Sequence, residues 1–301
     1  MMRSVLLAVT ERSVTKMPVT DTPVGRAVAR RFVAGDTLAS AIEVTGDLNR
    51  QGLKVSLDHL GEHVAAIEEA TEARDAYLAC LEEIAANELD ANISIKLTQL
   101  GMGLDDDAAS QHLNEIAEAA LDAGTTVTVD MEESEYTRTT IDLYAAAQTK
   151  YGNLGIAVQS YLHRTAEDLD RIIPLGGHVR LCKGAYAEPH DVAFQSSDEI
   201  ADSFDRLGVL LMESPGVTPA IASHDDARLT RVIEAAEHRT GPWEFQMLYG
   251  VRRDRQAELA AAGYDVRVYL PYGEAWYPYL TRRLAERPAN LLFFVRALVG
   301  G

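Results

Sequence analysis

Charged and polar side chains sit at the ends of short apolar runs along this 301-residue sequence. Lys96 lies in SIKLTQLG, Asp130 closes VTVD, and Arg180 and Lys183 stand three apart in VRLCKGAY. In an alternating strand Lys96 shares a side with Ser94, opposite Ile93, Ile95 and Leu97. It could act electrostatically, form a Schiff base with a carbonyl substrate, or only serve a structural ion pair. Asp130 could orient a cationic side chain, meet a substrate ammonium, or cap the following helix. Glu132 and Glu133 read as cap or surface residues. Two cations at one strand end, Arg180 and Lys183, suit an electron-rich ligand such as a reduced flavin or a phosphate. Gly184 and Ala185 would let a flat ring or a pyrophosphate approach the backbone, and Tyr186 could stack on it.

The segment YLPYGEAWYPYLTRRLAERPANLLFF carries a second group. A helix is expected from near Trp276 to about Glu286, so that Tyr279 and Arg282, spaced i, i+3, share a face. Arg283 follows about 100° further round. Two arginines there could clamp a substrate carboxylate with directed donors, or form an ordinary surface pair facing acids. Tyr269 and Tyr279 could close the apolar sides of a small pocket. In EFQMLYG, Leu248 reads as a pocket wall and Gln246 as a rim or layer-packing residue. His224, in IASHDD, could contact a cofactor or donate from its ring, while its neighbours cap a helix. No metal site is expected: the eight histidines form no HExxH, and the i, i+4 spacing of His59 and His63 is weak by itself. Cys80 and Cys182 have no zinc spacing and read as core thiols.

Something must bring these distant residues together. Eight strand-like segments recur: Val55-Leu57, Ile93-Leu97, Thr126-Asp130, Gly155-Gln159, His178-Cys182, Pro219-Ala222, Glu244-Met247 and Val266-Leu270. Helical periodicity fills the intervals. Parallel strands need such crossovers, and eight of them can close a (β/α)8 barrel. In that fold Asp58, Lys96, Asp130, Gln159, Arg180, His224, Gln246 and Tyr269 converge on the C-terminal rim, where barrel enzymes bind substrate. An open doubly wound sheet would often show GxGxxG after its first strand, but this chain reads DHLGE there. The expected organisation is one barrel domain over 1–301, with an N-terminal helical extension over approximately 1–50 and the C-terminal helix over the mouth. The polar stretch from Tyr186 to Asp198 could be a lid or a surface excursion.

Composition narrows the partners. A net charge of -18 and a pI near 4.8 offer no broad basic field, which argues against nucleic acid. The early apolar run Val5 to Val9 is far short of the roughly 18 residues that span a membrane, and no cleavage site follows it. A cytoplasmic protein without an integral membrane segment is expected.

Taken in order, SIKLTQLG, VDME, AVQSY, VRLCKGAY, EFQMLYG, VRVYLPYG and YLTRRL resemble the proline dehydrogenases, above all the short monofunctional bacterial form. The resemblance covers roughly residues 40–298. It implies a distorted barrel with noncovalently held FAD that oxidises L-proline to Δ1-pyrroline-5-carboxylate by hydride transfer from C5 to flavin N5. It also implies a membrane quinone as electron acceptor, hence transient contact with the inner face of the membrane, and coupling to a separate pyrroline-5-carboxylate dehydrogenase. By resemblance, Lys96, Asp130, Leu248, Tyr269, Tyr279, Arg282 and Arg283 form the proline pocket. Arg180 would lie near flavin N5, with Met131, Gln159, Lys183, Gly184, Ala185, Tyr186, Ser223 and His224 holding FAD. Asp130 and Arg180 are the expected catalytic pair. The family often has Thr-His-Asn where this chain has Ser223, His224 and Asp225, so an amide donor is replaced by a carboxylate. Three other functions remain on the sequence: a lysine Schiff-base aldolase, a noncatalytic binding barrel, and another flavoenzyme such as a folate reductase.

Overall fold

The structure is a computed structural model that describes residues 30–61, 63–276 and 279. Eight parallel strands close into a barrel in sequence order, β8 pairing with β1. They are β1 (Lys54–His59), β2 (Ala91–Ile95), β3 (Val127–Val129), β4 (Leu154–Gln159), β5 (Gly177–Cys182), β6 (Val217–Ala222), β7 (Glu244–Leu248) and β8 (Val266–Tyr272). Each of the eight expected segments overlaps one of them. The main α-helices among the described residues are α1 (Leu38–Asn49), α2 (Ile67–Ala86), α3 (Asp106–Asp122), α4 (Thr137–Tyr151), α5 (Thr165–Ile172), α6 (Ser197–Glu213), α7 (Asp226–Ala235) and α8 (Arg253–Ala261).

Local sequence explains several starts and stops. Asp105 caps α3 by accepting from the backbone N–H groups of Asp107 and Ala108. Ser196 and Glu199 form a reciprocal capping box at α6. Gly152, with φ of 74°, ends α4 in the left-handed conformation that lets the chain turn into β4.

Alternation along the strands sorts two environments. Val55, Leu57, Ile93, Ile95, Val127, Val129, Ile156, Val158, Val179, Leu181, Phe245, Met247, Val266 and Val268 are buried in the main apolar cluster beneath the helices. Burying each large aliphatic side chain contributes about 1.5–3 kcal/mol. The alternate positions point into the barrel and are largely polar: Ser56, Asn92, Ser94, Thr128, His178, Arg180, Glu244, Gln246 and Arg267. Room for the long ones comes from small neighbours. Arg180 is in register with Ala157 on one side and Ala220 on the other, and the His178 ring fills the space that a side chain at Gly155 would need.

The 186–198 segment is pinned rather than loose. Glu188 accepts from the Ser134 amide at 2.7 Å, Phe194 N donates to Tyr161 O at 2.8 Å, and Ala193 bridges to Leu162. No helix among the described residues is long and apolar enough to cross a membrane.

Candidate active site

Arg180 projects from the middle of β5 and is 5% exposed, so each of its donors needs a partner. Its Nη1 donates to Asp130 and to Ser94 Oγ at 2.8 Å, its Nη2 to Ser56 Oγ at 3.3 Å, and its Nε to Gln246. The guanidinium also lies 5.2 Å from the Tyr269 ring centre. Side chains from β1, β2, β7 and β8, with Asp130 just past β3, thereby fix one cation inside the barrel.

Asp130 is the rim's hub. It takes the Arg180 and Ser94 donors on one oxygen and the Tyr269 hydroxyl, at 2.8 Å, on the other. It follows β3 directly and orients cations instead of capping a helix; α4 begins without a side-chain cap. Burial, reinforced by the Asp130 and Asp58 charges, raises the Tyr269 pKa far above that of a free phenol, so this hydroxyl stays a donor.

Lys96 lies one residue beyond β2 and points to the same rim. Its Nζ is 2.8 Å from Asp58 Oδ1 and 3.9 Å from Asp130 Oδ2. Burial works against the ammonium, but Asp58 and Asp130 override it and hold the lysine pKa above its ordinary value. A lysine held as ammonium has no lone pair for Schiff-base chemistry at neutral pH.

The remaining expected site residues gather around the ends of β3 to β8. Met131 is buried beside Glu132. The Gln159 amide spans two loops, donating to Glu132 O at 2.8 Å and accepting from Ala185 N at 3.4 Å. Lys183 pairs at 3.5 Å with Asp225, which also caps α7 through Ala227 N. Tyr186 is half-buried in the pinned loop. Ser223 is buried, and its hydroxyl accepts from Asp225 N at 3.2 Å. His224 Nε2 accepts the backbone N–H of Leu248 at 3.0 Å, which leaves Nδ1–H as the ring's donor and ties the half-buried Leu248 to β6. Tyr279 is buried among Phe32, Val33 and Leu60, with Trp276 and Val251 against them. Arg282 and Arg283 lie outside the described residues.

Three expectations need correction. Glu132 is 2% exposed and accepts from Thr98 N at 3.1 Å and Thr98 Oγ1 at 2.5 Å, so it joins the rim's interior and is neither cap nor surface. Burial raises its carboxyl pKa. Gly184 has φ of 113°, and the space a side chain would need is filled by the Tyr161 ring. Its requirement therefore comes from Tyr161 as well as from any ligand. Cys182 is only half-buried, whereas Cys80 is buried, with burial pushing its thiol up to about 12. Asp58 and Gln246 lie on the rim as the strand ends suggested, but Ser56 and Ser94 were not read as part of the site. Their inward strand positions were the available signal.

Among the described residues no cluster of histidine, cysteine and carboxylate side chains could hold a metal ion. What remains is a closed (β/α)8 barrel of the enzyme type, with a buried arginine–aspartate–lysine–tyrosine constellation at its C-terminal rim. Comparison gives its family. The proline dehydrogenase family model matches residues 41–296, and the chain belongs to that family. It is 40% identical over 274 residues to proline dehydrogenase 1 of Bacillus subtilis strain 168, covering 90% of each chain. It is 35% identical over 286 residues to the proline dehydrogenase of Deinococcus radiodurans, covering 91% of each. Among solved structures, proline utilization A of Bdellovibrio bacteriovorus inactivated by N-propargylglycine superposes with a TM-score of 0.81 at 24% identity, over 87% of this chain and 32% of that one. That likeness concerns the fold.

Proposed function

We propose that this protein oxidises L-proline to Δ1-pyrroline-5-carboxylate with FAD as cofactor and passes the electrons to a membrane quinone. The observation that carries the reading is the buried Arg180–Asp130 pair, bonded to Ser94, Gln246 and Tyr269 and flanked by Lys96, at the rim of a chain in this family.

The donor set fits the cofactor. A fixed, buried guanidinium suits an electron-rich ring, while the exposed Lys183 ammonium and the buried Ser223 hydroxyl, on the segments after β5 and β6, would meet a polar or phosphate portion. Met131, Gln159, Gly184, Ala185, Tyr186 and His224 complete that wall. When bound, FAD supplies the hydride acceptor.

The protein's part is binding, orientation and charge. Arg282 and Arg283 would hold the proline carboxylate. Leu248, Tyr269 and Tyr279 would enclose the ring and exclude water. Arg180 would supply a fixed positive charge beside the bound cofactor, where it could stabilise negative charge on the reduced ring. Proline must react with its amine unprotonated, and Asp130 and Lys96 set the field that the amine meets. The Lys96–Asp58 pair keeps the lysine a fixed cation, which disfavours the Schiff-base aldolase. We place the whole activity in one barrel domain, on the cytoplasmic side, with transient membrane contact and the product consumed by a separate dehydrogenase.

Anaerobic addition of L-proline to purified protein, followed at the flavin's visible absorption, tests the reading. Stoichiometric bleaching is expected. A flavin-bearing protein whose spectrum proline leaves unchanged, or reduction by a nicotinamide instead, would refute it. R180M should slow bleaching while retaining flavin.

A further inference from the structure

Bulky branched side chains commonly fill barrel interiors, but beneath Arg180 this barrel holds a polar stack. Gln246 is 3% exposed and uses both ends of its amide: its oxygen accepts from Arg180 Nε, and its nitrogen donates to Glu244 Oε1 at 2.7 Å. The same carboxylate oxygen accepts from Arg267 Nε at 2.8 Å. Arg267 is anchored in turn on Val55 O at 2.9 Å and Asn92 Oδ1 at 3.4 Å. Burial opposes the Glu244 charge, but Arg267 and the hydrogen bonds of Arg267 and Gln246 hold its carboxyl below the usual range.

An amide can be turned end for end with almost no change of shape. The turned Gln246 would face Arg180 with donors against donors and Glu244 with acceptor against acceptor, both away from water. Groups left unsatisfied there pay the full desolvation penalty with nothing to offset it. Glu244 thus selects the one orientation that presents an acceptor to Arg180. The shorter holds on the guanidinium, Ser94 and Asp130, act at Nη1, and Nη2 has only the 3.3 Å contact with Ser56. Without the Nε contact the group can pivot about Nη1.

We propose that Glu244, acting through Gln246, is a positioning residue that aims the Arg180 guanidinium. This rests on the flavin-dependent reading above, and neither Glu244 nor Arg267 need touch substrate or cofactor.

The test uses FAD-loaded holoenzyme and two readouts: the flavin midpoint potential and the anaerobic rate of reduction by proline. E244A and Q246M should each lower the potential and slow reduction roughly ten- to hundredfold, as expected for a misplaced catalytic group, with a smaller change in proline affinity. E244Q keeps an acceptor oxygen for both Gln246 and Arg267 and should recover most of what E244A loses. E244A added to Q246M should change the potential no further, because its path to Arg180 is already cut. If E244A does not fold, E244M/R267M removes the buried charges together and carries the same comparison. A folded E244A or E244M/R267M with wild-type potential and rate overturns the proposal, as does full additivity with Q246M. A wild-type protein that binds FAD but is not bleached by proline refutes the functional reading alone, since the potentials still decide this one.

Discussion

His178 lies two residues before Arg180 on β5, its ring against Gly155 and its Nε2 2.6 Å from Thr128 Oγ1. Burial lowers its pKa, Glu244 pulls it up, and Arg180 and Arg267 push it down, for a value of about 4. An unfolded histidine titrates near 6.5. As pH falls, the unfolded chain therefore takes up this proton first. The stabilisation is fully present above about pH 6.5 and is lost as pH falls towards about 4. That gap of about 2.5 pH units, at 1.36 kcal/mol per unit, gives about 3 kcal/mol. His178→Gln keeps an amide that can donate to or accept from Thr128 but cannot be protonated. Urea unfolding of both proteins between about pH 7 and about pH 4 measures the difference, in which acid effects from the rest of the molecule cancel. Wild type should lose about 3 kcal/mol more than H178Q across that window. Parallel stability curves would refute the claim that a neutral, half-buried imidazole is built into the layer below Arg180.

Three further outcomes follow from the site. Asp58→Asn keeps an acceptor oxygen but removes the nearer negative charge, leaving the buried Lys96 ammonium Asp130 at 3.9 Å as its paired carboxylate, and should cost about 3 kcal/mol in urea unfolding; an unchanged midpoint would contradict the pairing. Tyr269→Phe removes a hydroxyl donor from a carboxylate, a bond of about 1.5–3 kcal/mol, and should lower kcat/KM for proline roughly tenfold or more with the fold intact. Gly184→Ala should destabilise the cofactor-free protein by roughly 1–3 kcal/mol through its φ and the Tyr161 ring, with partial relief in G184A/Y161A. A loss confined to the FAD-loaded protein would mean that Tyr161 is not the constraint.

Strand positions were legible because each outward face is a β-branched or aliphatic alternation bounded by turn residues. The inward faces were harder to read. Lys96, Asp130, Arg180 and Tyr269 stood out as charges or phenols at strand ends, and they do meet. Ser56 and Ser94 look like ordinary polar strand residues until closure of the barrel brings β1 and β2 around β5. Glu132 follows Asp130 in an acidic run that reads as solvated; only the Thr98 contacts show that it turns inward. The role of Gly184 depended on Tyr161, a neighbour 23 positions earlier in sequence that no local spacing identifies.

On the proposed function, one carboxylate-bearing ring is held against the cofactor above Arg180. A crystal structure of the FAD-loaded protein with a ring carboxylate that cannot be oxidised tests this placement. The carboxylate should lie between Arg282 and Arg283, and the ring between the Lys96–Asp130 rim and an isoalloxazine seated by Arg180. An analogue bound elsewhere, or an isoalloxazine remote from that guanidinium, would contradict it.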